Sequence, residues 1–274
     1  MFCKGLAMIL TRFVLVAWCA ICASIATAHE FWIEPERYQV ATDENLVARF
    51  RNGEELEGVS LGYFDRSSQR YEVIADGTAM PVTPRLGDNP ALDVPAPGAG
   101  LVVVVHETTP SFVTYKTWEK FQKFANHKDF AGWRVQHEAL YFPDPPFKER
   151  YTRHAKALIA VGDGAGADAQ AGLLTEFVAL TNPYAPGFDG VMRVQLHYGA
   201  LLRAGAQVEV FDRAPDNSVT ITLHTTDADG IAAVPVTPGH EYLFDAVVLE
   251  PSPPDAGAVW DTYWAALTFM VPAR

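Results

Sequence analysis

Short runs of alternating apolar and polar residues, closed by glycine, proline, asparagine or aspartate, recur along nearly the whole chain. A period of two places every second side chain on one face of an extended strand, so the pattern predicts sheets with a buried face. Residues 45–50, 191–196, 205–211 and 219–223 alternate in this way, and 71–74 is β-branched and stops at Asp76-Gly77. Residues 101–105 form an unbroken apolar run, which fits a strand buried on both faces.

The period changes only over about 116–141. Trp118, Phe121, Phe124 and Ala125 recur at helical spacing, and Phe130, Trp133, His137, Leu140 and Tyr141 form a second such face. Two short helices are therefore predicted, ended by the prolines of 142–147. Residues 150–161 read as a strand and the glycine-rich 162–168 as a flexible turn or linker. Those glycines are not a phosphate loop, because no Lys-Ser/Thr pair and no helical pattern follow them. Further strands are predicted at 231–236, 242–249 and 265–271, with a turn at 226–230. The expected fold is mainly β: an N-terminal sandwich over 29–165 carrying the helical insert, and a C-terminal sandwich over 175–274.

Residues 1–28 follow a different pattern. Lys4 and Arg12 precede an apolar run to Ile25, and Ala26-Thr27-Ala28 supplies the small residues of a cleavage site. This predicts a secretory signal peptide and a periplasmic protein whose mature chain begins at His29. Cys3, Cys19 and Cys22 all lie within the signal, so the mature chain has neither disulfides nor thiolate metal sites. It carries 19 basic against 33 acidic side chains, a formal charge of −14, which disfavours nucleic acid and favours cations. No later segment has the 18 or more apolar residues of a membrane span.

An N-terminal histidine is chemically unusual. Its α-amine has an ordinary pKa of about 7.7 to 8.0 and its imidazole one near 6.5, so both can bind one metal ion near neutral pH. The competing reading is a frayed, solvated terminus. Such a site needs a further ligand, and His106, His127 and His137 are the candidates. His106 ends the buried strand beside Glu107, although a loop residue explains it as well. His127 falls where a cation suits a helix C-terminus, and His137 lies on an apolar face where a satisfied core histidine is commoner. No catalytic residues are assigned, since the chain lacks a Gly-x-Ser-x-Gly elbow and the mature part lacks cysteine.

Three segments together resemble a known exported family: Ala-His-Glu-Phe-Trp-Ile-Glu-Pro at 28–35, the strand at 150–162, and the pair Thr-Thr-Asp-Ala-Asp-Gly at 225–230 and Trp-Asp-Thr-Tyr-Trp-Ala-Ala-Leu-Thr-Phe at 260–269. The chain is similar to the domain-of-unknown-function family 4198, associated with nickel uptake as a substrate-specific component of the NikM type. The resemblance implies immunoglobulin-like or transthyretin-like β-sandwiches and a role in nickel or cobalt acquisition beside a membrane transporter component. Three functions follow as expectations: a non-enzymatic divalent transition-metal binding protein, a copper enzyme using His29 as a histidine brace, and a metal-free structural or adhesion protein.

Overall fold

The computed structural model describes residues 29–273; the expected signal peptide lies outside the described residues. The chain first runs through β1 (Glu30–Pro35), β2 (Gln39–Val40), β3 (Asn45–Glu54), β4 (Glu57–Leu61), β5 (Ser68–Ala75), β6 (Thr78–Pro81), β7 (Leu92–Pro95), β8 (Gly100–Thr108) and β9 (Ser111–Tyr115). Helices α1 (Trp118–His127) and α2 (Trp133–Ala139) follow, and β10 (Phe147–Val161) returns to the sheet. The remainder is β11 (Thr175–Ala179), β12 (Val191–Tyr198), β13 (Leu201–Leu202), β14 (Gln207–Arg213), β15 (Val219–Thr225), β16 (Ile231–Pro235), β17 (Glu241–Pro251) and β18 (Trp260–Met270).

The fold is mainly β with a short helical insert, as the periods predict. Its centre is a ten-stranded sheet with the path β15-β14-β17-β18-β10-β8-β5-β6, to which β2 and β9 add through β10. One four-stranded sheet contains β1, β3, β4 and β7, and another contains β11, β12, β13 and β16. Glu149–Ala157 of β10 pairs in parallel with Trp260–Thr268 of β18. That ladder ties the segment expected to form the N-terminal sandwich to the last strand of the chain.

Three apolar clusters follow from this arrangement. Between the long sheet and the β1 sheet lie Phe31, Ile33, Phe50, Val104, Ala157 and Leu243. On the opposite face the β11 sheet covers Val103, Leu158, Phe177, Val194, Phe244 and Leu267. Alternation explains the split: within β8, Val103 and Val104 point to opposite cores, so the whole strand is apolar. The third cluster forms where Phe121 and Phe124 of α1 and Trp133 of α2 cover Trp260 and Trp264 of β18. Phe121 stands 4.9 Å from Trp133 in an edge-on pair.

The 162–168 segment, expected as a flexible linker, is held on many sides. Leu101 donates its N–H to the Ala165 carbonyl at 2.7 Å, and Asn182 Nδ2 donates to the carbonyls of Gly164 and Gly166 at 2.8 and 3.0 Å. Gly164 has a φ of +61°, and a Cβ there would stand 2.6 Å from that of Ala160, so glycine is needed for both reasons. The buried Lys156 fixes the far end. Its Nζ donates to Asp168 at 2.8 Å, to Glu176 at 3.4 Å and to the carbonyls of Ala169 and Phe177 at 3.1 and 3.0 Å. Replacing Lys156 by methionine strands two buried carboxylates, and denaturant unfolding is expected to show a loss of about 3–5 kcal/mol.

Candidate functional site

Two carboxylates oppose one another on the second and third strands from the β15 edge of the long sheet. Glu209 on β14 pairs directly with Asp245 on β17, and both are buried. Like charges in that position repel, and burial without a partner costs far more. A third carboxylate, Glu30, arrives from the first residue of β1 and is also buried. Their oxygens lie within 4.8 Å of one another, a spacing suited to a cation.

That cation is Lys128. It follows the last turn of α1, where its N–H donates to the Phe124 carbonyl at 3.0 Å, and its side chain drops into the sheet. Nζ lies 2.6 Å from Glu209, 2.8 Å from Asp245 and 3.2 Å from Glu30, and 4.9 Å from the centre of the Trp264 ring. The ammonium thus spends its three N–H donors on three carboxylates. Burial pushes the Glu30 carboxyl up to about 7 although Lys128 opposes it, and burial likewise raises Asp245. Burial also pushes Glu209 upward, but its hydrogen bond from His127 and the charge of Lys128 outweigh that and hold it below the usual range.

Of the four histidines expected as ligands, the structure brings His127 to this cluster and places His29 next to it in the chain, with its imidazole beside Glu54. His127 Nε2 is 3.1 Å from Glu209, with 55% of its side chain exposed, and the Glu209 hydrogen bond raises its pKa. His29 directly precedes Glu30. Its Nδ1 is 3.4 Å from Glu54, and the two side chains are 43% and 51% exposed. Arg153 Nη2 donates to the His29 carbonyl at 2.8 Å, and the guanidinium lies 4.6 Å over the Tyr151 ring.

The other two sit in separate cores. His106 is buried between Phe31, Phe50 and Tyr71, with Nε2 3.0 Å from Ser68 Oγ, and burial drives its pKa down to about 3. His137 is a satisfied core histidine. Trp260 Nε1 donates to its Nδ1 at 3.1 Å, and its Nε2 donates to the Pro143 carbonyl at 3.1 Å.

Tracking histidines missed Glu30, Lys128, Glu209, Asp245 and Arg153. One signal was present: Asp245 stands alone in the apolar run 242–249, where a buried charge demands a partner. A cleft of about 460 Å³ opens beside the cluster, lined by Lys128, Phe130, Leu202, Arg203, Gln207 and Val247 among others. Gln207 Nε2 donates to the His127 carbonyl at 2.8 Å and Arg203 Nη2 to that of Val247 at 2.8 Å.

The family described as domain of unknown function (DUF4198) matches residues 26–250. No curated protein matches the chain. Among solved structures, the tetra-tandem repeat in the extending region of a large adhesion protein is similar at 13% identity and a TM-score of 0.24, over 88% of this chain and 50% of that one. A likeness of that size carries no argument about fold or function, and the chain spans half the length of that structure.

Two outcomes test the cluster. Replacing Lys128 by methionine leaves three carboxylates facing one another, and unfolding is expected to show a loss of about 3–5 kcal/mol that added divalent cations partly restore. The second outcome is a pH dependence. Glu149, buried and accepting hydrogen bonds from Tyr115 and Thr262, is pushed up to about 7 by burial, as Glu30 is. With folded pKa values above their unfolded ones, both groups bind more protons in the folded state. The contribution of these two groups to stability is therefore expected to fall as pH rises from about 4.5 to 7, opposed by the buried His106, whose lowered pKa makes its own contribution rise with pH, and Glu149→Gln is expected to shift the measured slope in the positive direction in denaturant titrations.

Proposed function

We propose, for a chain that belongs to the DUF4198 family, that it is an exported binding protein for a divalent transition-metal ion, nickel or cobalt, taken up at His29. After cleavage behind Ala28, the α-amine and Nδ1 of His29 close a chelate ring, and the Glu54 carboxylate stands beside it as a third donor. Amine and imidazole nitrogens suit late first-row metals, which the hard oxygen ligands of calcium or magnesium sites do not select. His127 is the further histidine in this reading, because it lies on the same acid cluster with its imidazole open to solvent. The ion is cargo rather than a resident group, and the periplasm and a transporter component belong to the same proposal.

The observation that supports the reading is the fixing of the terminal residue. Chain ends are ordinarily the least ordered part of a domain. Here Arg153 holds the His29 carbonyl, Lys128 holds the neighbouring Glu30 side chain, and Glu54 flanks the imidazole. Preorganisation of this kind lowers the entropy lost on binding. The net acidity around Lys128 also draws cations toward the terminus.

Calorimetric titration with nickel, cobalt, copper and zinc tests the proposal on protein that begins at His29, compared with protein carrying one additional N-terminal alanine. Tight one-to-one binding by the first and its loss in the second is the expected result, with His127→Ala weakening it further. Equal binding by both forms, or none by either, overturns it.

A further inference from the structure

The long sheet ends on two very different edges. At one end β6 is short, Thr78–Pro81, and proline closes it. At the other, β15 reads Val-Thr-Ile-Thr-Leu-His-Thr, with neither charge nor proline nor glycine, in a chain of net charge −12. β15 pairs only with β14 among the described strands. Ile221 and Leu223 are 39% and 60% exposed on one face, and Thr220 and Thr222 are exposed on the other. Natural sheets blunt such edges with lysine, proline, bulges or a covering element, because unpaired N–H and C=O groups template further pairing.

The register shows which groups are unpaired. Ala214 N–H donates to the Ser218 carbonyl and Thr226 N–H to the Ala206 carbonyl, at 2.9 and 3.0 Å. The intervening ladder is regular, with Val210 opposite Thr222. In an antiparallel ladder, hydrogen-bonded pairs alternate with pairs that turn their backbone groups away. Even-numbered residues of β15 therefore bond to β14, and Val219, Ile221, Leu223 and Thr225 direct N–H and C=O outward.

We propose that the occupant of this edge is a second copy of the same strand, paired antiparallel about a two-fold axis at Thr222. An isologous contact requires a surface that complements itself. In this register Ile221 meets Leu223 of the second copy and Leu223 meets its Ile221, which puts apolar against apolar on one face. Thr222 meets Thr222, and Thr220 meets His224, on the other. The outward backbone groups of odd-numbered residues fall opposite one another, as hydrogen-bonded pairs require. Two ten-stranded sheets then become continuous, and no charged side chain of β15 enters the ladder. The acidic residues lie beyond its ends, Asp216 at one and Asp227 and Asp229 at the other. They repel across the two-fold, so pairing strengthens as salt screens them. This assembly is independent of the metal reading.

Sedimentation velocity over a concentration series tests it on the chain beginning at His29, with circular dichroism and thermal unfolding as checks on folding. The wild type is expected to form a dimer that tightens with added salt. Ile221→Lys with Leu223→Lys places four lysines together and should leave a folded monomer. Ile221→Lys with Leu223→Glu places each lysine opposite a glutamate of the second copy and should restore the dimer, now weakened by salt. A wild type that stays monomeric throughout overturns the proposal, as does a dimer that survives the double lysine substitution. Restoration absent from the lysine–glutamate variant overturns the register.

Discussion

A sheet that is apolar on both faces has to be covered on both, and everything else in this protein is arranged around that requirement. β10 and β18 lie at the middle of the long sheet and send side chains into opposite cores. The β1 sheet and the helices cover one face, and the β11 sheet covers the other. The parallel ladder between β10 and β18 joins residues more than a hundred positions apart. Neither half of the chain can complete its core without strands from the other.

Each covered face contains one buried lysine with two or three carboxylates around it. Lys156 fastens the 162–176 segment to the long sheet on the β11 side, and Lys128 fastens α1 and the start of β1 on the other. Neither is efficient as a source of stability, since desolvating the ions offsets much of their attraction. Their geometric effect is clearer. An ammonium bonded to three carboxylates in three different elements fixes how those elements sit, whereas an apolar contact in the same place would tolerate sliding.

The polar seam at Lys128 also bears on how His29 and Glu30 are held. Between the cluster under the β1 sheet and the cluster under the helices, the long sheet carries Glu209, Asp245 and Arg153 rather than hydrocarbon. β1 begins over this seam, so the Glu30 side chain meets Lys128 there while Arg153 holds the His29 carbonyl. His106 and His137 sit apart from this seam, one enclosed by aromatic rings and the other with both ring nitrogens bonded.

How much of this could be read from residues alone differs from element to element. Local period determined many of the strands and the two helices, though not β7, β9 or β11: alternation in 205–211 and 219–223, and the 3.6-residue spacing of Trp118, Phe121 and Phe124, depend only on which side chains must leave water. It also determined that β8 is buried on both faces, because an unbroken run of valines has no solvent side. The family was legible in the segments at 28–35, 150–162 and 225–269. Pairing was not, because a strand's period says which face is buried and nothing about which strand lies beside it. The ladder from β10 to β18, the meeting of Glu30, Glu209 and Asp245 at Lys128, and the placing of His127 rather than His137 on Glu209 are long-range facts. Hydrophobic burial is non-directional and local in sequence, whereas the cancellation of buried charges depends on which distant carboxylates the backbone brings together. Tertiary structure alone decided that.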